Sequence, residues 1–375
     1  MADVVDLLRA LVEIPSVVGK SNHAVISWLK GYLAPYDARI TEIVGPEGDR
    51  SNLFVSVGPV GQPGIVLSGH MDVVPAARAE WTSDPFQLRV DGDLLYGRGT
   101  SDMKGFLASV LAVVPELKPE LLKRPVHIAL SYDEEAGCRG VPHLIKELPH
   151  LCAKPLGCIV GEPSGMVPVR AHKGKAAVRV SITGRAGHSS RPDLGLNAIH
   201  AMSRVMAQAL QHESNLKVSL RDPRFDPPYS TLQIGLCSGG SALNIIPAHA
   251  ELEMEVRAIP GADPLDLANG VLEILPRLEA IGFKTNVERL SHYPALLLEE
   301  SAPLTRLLEQ ATGTASVDAV SYGTEAGLFQ AVGIPAIICG PGDINRAHKP
   351  DEYIRVDELH NAMSMLRSVI DSTCR

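Results

Sequence analysis

Apolar and polar positions follow two different periods along the chain, and the change of period divides it. From residue 64 to 162, short apolar runs nearly free of charge are separated by helix-like segments. The runs are GIVLSGH (64–70), VHIALSY (126–132) and LGCIVGE (156–162), with KGFLASVLAVVPEL (104–117) as a buried helix between the first two. Runs of this kind mark strands buried on both faces, and their alternation with helices predicts an α/β domain with a mostly parallel sheet flanked by helices. The pattern resumes near the C-terminus, with a helix about APLTRLLEQAT (302–312), the run IPAIICG (334–340) and a last helix over roughly 356–372. At the other end, apolar Val4, Leu7, Leu8, Leu11 and Val12 predict an amphipathic surface helix.

The middle of the chain has a period of two. KAAVRVSITGRAG (175–187) and AHAELEMEVRAI (248–259) alternate apolar and polar residues, as half-exposed antiparallel strands do. Helix-like stretches about 195–212 and 263–280 accompany them. Strands and helices with one wet sheet face predict a small α+β domain inserted into the α/β domain. The expected segments are 1–174 and 291–375 for the α/β domain and 175–290 for the insertion.

Composition narrows the partners. A chain of 375 residues is long for a single core, which agrees with two domains. With 45% hydrophobic and 21% charged residues it has the make-up of a globular protein. A net charge of −8 and 4% aromatic residues disfavour nucleic acid and favour a small polar substrate. The six cysteines show no C-x-x-C spacing or regular framework and read as reduced thiols. Asp3, Asp6 and Glu13 argue against a signal peptide, and no apolar stretch approaches the roughly 20 residues of a membrane span. A soluble, cytoplasmic protein is expected.

In open α/β sheets, ligands bind beyond the carboxyl ends of the strands. Here the same chemical class follows every such strand: His70 with Asp72, then Asp133, Glu134 and Glu135, then Glu162, and finally His348 in the loop after residue 340. Asp102 stands at the start of the 104–117 helix. Any one of these has an ordinary explanation as a solvated charge; the set does not. Two histidines and several carboxylates without cysteine suit catalytic zinc rather than a structural cysteine site. There are more donors than one zinc requires. His70 and Glu162 can hold one ion, Glu135 and His348 a second, and Asp102 can bridge. Two divalent ions against three carboxylates and a hydroxide form a near-neutral cluster that tolerates burial. Asp72, two residues beyond His70, is expected to take the imidazole N–H on its carboxylate. Glu134 is then free to move the proton in a hydrolysis. No G-x-S-x-G, H-E-x-x-H or P-loop competes with this reading.

The segments SGHMDVVP, GRGTSDMKG, SYDEEAG, GEPS and RAHKPDEY resemble, in this order and over nearly the whole chain, the co-catalytic di-zinc amidohydrolases. That family includes aminoacylases, carboxypeptidase-G-like enzymes, succinyl-diaminopimelate desuccinylases and acetylornithine deacetylases. The resemblance implies two zinc ions, with cobalt as an alternative, held by His70, Asp102, Glu135, Glu162 and His348. It implies Glu134 as general base and Asp72 as its helper. It also implies that the insertion is a ferredoxin-like lid through which the chain forms a homodimer. GRAGHSSRPDLGLNAI resembles the segment whose histidine, here His188, reaches the partner's active site, and GGSALNIIP and EVRAIPG resemble those whose Asn244 and Arg257 hold the substrate carboxylate. RDPRFDPPYSTLQIG, SYGTEAGLF and CGPGDINRAHKPDEY are most similar to the acetylornithine deacetylases. This implies removal of acetate from a small N-acylated amino acid, with Glu325 as a candidate partner for the substrate's cationic end. A desuccinylase or a broader N-acyl-amino-acid deacylase is the nearest alternative, and a non-catalytic metal-binding protein of the same fold is a distant one.

Overall fold

The computed structural model describes residues 3–375; Met1 and Ala2, at the start of the first expected domain segment, lie outside the described residues. The chain divides into two compact units. One holds residues up to Ala171 together with Leu296–Ala319 and Thr324–Arg375; the other holds His172–Ala295 and Val320–Gly323. The insertion expected at 175–290 overlaps this second unit, which begins three residues earlier and ends five later.

The first unit is built on a six-stranded sheet in the order Ala38–Val44, Ser51–Val57, Val126–Ser131, Ile65–His70, Gly157–Val160, Ala336–Ile338. The last four are mutually parallel and are the four apolar runs of the sequence. The first two add an antiparallel edge that the sequence pattern does not announce. All six residues of both Ile65–His70 and Val126–Ser131 are buried, as expected for strands covered on both faces. One cover is the helix Gly105–Val113, whose nine residues are all buried; it packs against the N-terminal helix Val4–Val12 and the C-terminal helix Val356–Cys374.

Two glycines let this helix lie close under the carboxyl ends of the strands. A side chain at Gly69 would sit 2.8 Å from Leu107 and Met103, and one at Gly161 would sit 2.0 Å from Phe106. Each glycine is followed by a candidate ligand, His70 or Glu162. Close packing and ligand placement are thus two uses of the same turn.

The second unit has its own core, in which Val178, Val180, Leu252, Met254, Met202 and Val205 are buried. Its sheet is fully antiparallel, in the order Thr231–Gly239, His249–Ala258, Gly174–Thr183, Lys284–Tyr293. Along Gly174–Thr183 the alternation of buried and half-buried residues follows the period of two seen in the sequence. Helices Ala198–Val218 and Pro264–Leu272 cover the buried face, and Leu275–Glu279 follows as a separate short helix. No described helix is long and apolar enough to cross a membrane.

Candidate metal centre

His70 is the last residue of its strand and pairs in register with Ser131. Its ring is 1% exposed. Nδ1 lies 2.9 Å from the main-chain carbonyl of Asp72, so it carries the proton, and Nε2 is left facing Asp102 Oδ1 at 3.0 Å and Glu162 Oε1 at 3.8 Å. The second Asp102 oxygen is 3.3 Å from His348 Nε2, which is 3.0 Å from Glu135 Oε1. The result is two groups of three, His70–Asp102–Glu162 and Asp102–Glu135–His348, sharing one carboxylate. Donors around a tetrahedral zinc at about 2.1 Å stand roughly 3.4 Å apart, so these separations match the span of such an ion.

The turn after Ser131 explains how neighbouring glutamates take different directions. Gly137 adopts φ 94°, and its N–H and that of Cys138 return to the Glu134 carbonyl at 2.7 and 2.8 Å. Both glutamates lie beyond the strand, so strand alternation does not govern them. Glu135 reaches His348, whereas Glu134 Oε1 accepts a hydrogen bond from the Cys138 thiol at 3.3 Å. His348 itself has φ 62°, a left-handed backbone costing a non-glycine residue about 1–2 kcal/mol. Such a conformation persists where the surrounding loops over-determine it.

Two expectations are corrected. The Asp72 carboxylate is not the hydrogen-bond partner of the imidazole: its Oδ1 stands 3.7 Å from His70 Nδ1, and the main-chain carbonyl takes the N–H instead. The chain leaves the strand at His70, so the Asp72 side chain turns away and accepts the N–H groups of Glu134 and Glu135, each at 3.1 Å. Glu325 is not an accessible partner for a cation. It is 1% exposed and accepts hydrogen bonds from Ser68 Oγ (2.5 Å) and Ser131 Oγ (2.7 Å). Just before it, the Thr324 hydroxyl accepts the Ala326 N–H at 3.0 Å where the next helix begins.

In the second unit, His188 and Asn244 lie together on exposed loops. His188 bridges to Ile245, and Ser189 N donates to the Asn244 carbonyl at 3.1 Å. Arg257 is elsewhere, with Nε 2.6 Å from Glu255 and one Nη 3.2 Å from the Tyr293 hydroxyl. His249, paired with Thr183, and Arg257, paired with Lys175, lie near opposite ends of the central strand pair. Eight residues at about 3.3 Å each separate these ends by roughly 26 Å. The structure therefore joins His188 to Asn244 and does not bring Arg257 to them.

The electrostatics of the first unit test whether cations suit the site. Burial drives Glu162 well above the usual carboxylate range, Glu134 up to about 8 and Asp72 up to about 7, with neighbouring carboxylates adding to the effect. Burial opposes charge on Asp102 as well, but His348 and His70 hold it well below the usual range. Burial also opposes protonation of His70, yet Asp102, Asp72 and Glu162 raise it. Hydrogen bonds to Asp102 and Glu135 raise His348 to about 10. Without metal, the cluster limits its negative charge by binding protons. Divalent cations would replace those protons on the same atoms. The donor set fits two such ions.

Sequence reasoning missed two residues of this neighbourhood, Cys138 against Glu134 and Glu352 beneath Asp102. For Glu352 a signal existed, because it lies in the same HKPDEY segment as His348.

Two donor-rich groups sharing a carboxylate at the carboxyl edge of an α/β sheet are the arrangement of a metal-dependent amide hydrolase. Comparison with known proteins makes the class specific: residues 66–372 match Peptidase family M20/M25/M40, and the chain belongs to that family. It is 34% identical over 378 residues to the acetylornithine deacetylase of Edwardsiella ictaluri, covering 98% of this chain and 97% of that one. It is likewise 34% identical over 383 residues to the acetylornithine deacetylase of Salmonella typhimurium, covering 99% and 97%. Among solved structures, an M20 family metallo-carboxypeptidase from Sulfolobus solfataricus shares the fold with a TM-score of 0.78 at 17% identity, covering 99% of each chain.

Proposed function

We propose that this protein hydrolyses N2-acetylornithine to ornithine and acetate, a step of arginine biosynthesis. The observation that carries the reading is the pair of three-residue groups joined through Asp102, with Glu134 beside them. End-to-end similarity to acetylornithine deacetylases supports the choice of substrate. His70, Asp102 and Glu162 hold one ion, and Asp102, Glu135 and His348 the other. An all-imidazole and carboxylate set favours zinc, with cobalt as a substitute. Bound there, two divalent ions lower the pKa of water and polarise the amide carbonyl.

The rest of the chemistry belongs to side chains. Glu134 accepts the proton of the attacking water on a carboxylate oxygen. As the C–N bond breaks, it returns that proton to the departing amine nitrogen. Asp72 keeps Glu134 and Glu135 apart in direction by bonding both of their amides. Arg257, in the second unit, keeps N–H groups whose planar fork is suited to a substrate carboxylate.

His188 and Asn244 contact substrate from a second copy of the chain. His188 and Asn244 lie on loops next to the His249 end of the strand pair and Arg257 at its other end, which supports their acting on a substrate from different chains. The edge strand Thr231–Gly239 and the adjoining loop expose Leu236 and Leu243, with Leu236 63% accessible, which suits a homodimer contact there. The six free cysteines favour a reducing, cytoplasmic setting.

The test is hydrolysis by the zinc-loaded protein of N2-acetylornithine, succinyl-diaminopimelate and a panel of N-acyl-amino acids. Preference for N2-acetylornithine is expected. Preference for the succinylated substrate overturns the substrate assignment, and hydrolysis of none overturns the enzymatic reading.

A further inference from the structure

Four residues beyond His348 the chain carries a buried carboxylate that no part of the proposed chemistry uses. Glu352 is 1% exposed. One of its oxygens accepts the main-chain N–H groups of Ser101 (2.9 Å) and Asp102 (3.1 Å). The other accepts the N–H of Gly99 (3.0 Å) and an Arg98 Nη (2.7 Å). Its own main-chain carbonyl takes the N–H of Gly97 at 2.9 Å. One residue thus gathers five members of the loop that ends at Asp102: Gly97, Arg98, Gly99, Ser101 and Asp102. Nearby, Ser101 Oγ donates to the Asp343 carbonyl at 3.2 Å and accepts its N–H at 3.1 Å, which ties the same loop to the opening of the segment leading to His348.

We propose that Glu352 is the positioning residue of the second metal group: it fixes the shared ligand Asp102 from below while fastening the loop that carries His348. The inference rests on the reading of His70, Asp102, Glu135, Glu162 and His348 as ligands. It assigns an unequal effect to the two groups. In Asp102–Glu135–His348, two of the three donors lie on loops that Glu352 ties together. In His70–Asp102–Glu162 only one does.

The hydrogen-bond inventory explains why a carboxylate stands here. All four groups that face it are donors, so both of its oxygens must accept. In Glu352→Gln the amide NH2 replaces one oxygen and confronts two N–H groups. In Glu352→Asp both oxygens and the charge remain, but the side chain is one methylene shorter. It then cannot reach the Ser101 and Asp102 amides while it also holds Arg98. The aspartate variant keeps a buried carboxylate for the arginine and is the one expected to fold.

The experiment is a calorimetric and spectroscopic titration of the metal-free protein with Co2+, comparing wild type, Glu352→Asp and Glu352→Gln. Losing a group that orients a metal ligand typically weakens the metal 10- to 100-fold. A loss of that size is expected in one binding step, with the other held within about threefold, and with a changed visible absorption spectrum of the affected Co2+. A purely structural role would lower thermal stability and leave the two steps in their wild-type ratio. Both steps unchanged, or both weakened equally, in the folded Glu352→Asp protein overturns the proposal. If wild type itself fails to take up two Co2+, it is the ligand reading that fails instead.

Discussion

Asp72→Asn separates two ways in which a carboxylate near a metal ligand can act. In the structure both oxygens of Asp72 accept main-chain amides, from Glu134 and Glu135, each at 3.1 Å. An asparagine retains one accepting oxygen and turns an NH2 toward the other amide. One hydrogen bond to an ionised group is lost, about 1.5–3 kcal/mol, and one buried N–H is left without an acceptor, about 1–3 kcal/mol. These overlap, so a destabilisation of about 2–4 kcal/mol is expected in urea denaturation. The functional consequence follows from geometry. The released turn carries Glu134, which we propose as the general base, and a displacement near 1 Å of such a group costs on the order of 10²-fold in rate. The main-chain carbonyl that fixes His70 is untouched by the substitution. A fall in kcat of about that size is therefore expected at saturating N2-acetylornithine. Calorimetry should show the metal held by His70 bound nearly as in wild type. The reasoning is refuted if kcat per fully loaded protein stays within threefold while affinity at the His70 group drops tenfold or more. Asp72 would then act through the imidazole after all.

Glu134→Gln should abolish turnover with metal content near that of wild type, whereas Glu135→Gln should mainly weaken one ion; equal metal loss in both would contradict the division of roles. Chelation should remove both activity and stability, about 2.7 kcal/mol for each site that had been held at a hundredfold excess over its dissociation constant, and thermal unfolding with and without zinc measures it. His127 is buried, stacked on Phe54, and burial lowers it to about 4. The unfolded chain binds that proton below about 6.5, so the stability due to His127 is complete above that pH and falls as pH drops toward 4, by about 2 kcal/mol at pH 5. Urea titrations of wild type and His127→Gln at pH 7 and 5 should show the difference narrowing by that amount; a constant difference refutes it. Mixing His188→Ala with Glu134→Gln should restore about a quarter of wild-type activity, since half of the random dimers carry one complete site, and no recovery would exclude action in trans.

The clustering of the candidate donors was legible because parallel strands present the residues that follow them at one edge. Three of the apolar runs led directly into His or carboxylate, and the fourth led to His348 in the loop eight residues beyond it. The antiparallel edge was not legible in the same way. Ser51–Val57 is wholly buried but contains Ser51, Asn52 and Ser56, whose polar groups hide the apolar run. Ala38–Val44 is half exposed and carries Arg39 and Glu42. In the second unit, Thr231–Gly239 and Lys284–Tyr293 are edge strands with largely exposed residues, so their alternation is diluted. The role of Glu325 was hidden for a different reason. Its partners Ser68 and Ser131 are 257 and 194 residues away in sequence, and no local pattern encodes such a contact.

Asp72 and Glu352 point to one physical requirement. Glu134, Glu135, Asp102 and Glu162 are carboxylates crowded into one place, and whenever they are ionised together their repulsion would push their loops apart. Side-chain packing cannot prevent this, because charged ends need room and solvation. Main-chain amides can, since an amide N–H bonded to a buried carboxylate is held at a fixed distance while its own side chain remains free to face a cation. Asp72 does this for Glu134 and Glu135, and Glu352 does it for Asp102. These outer carboxylates also add negative charge to the neighbourhood, which deepens the need for cations. The same arrangement that makes the metal-free cluster unfavourable thus aims its donors at two ions. The adjacent glutamates of SYDEEAG can differ in role because their backbone, not their side chains, is what Asp72 holds.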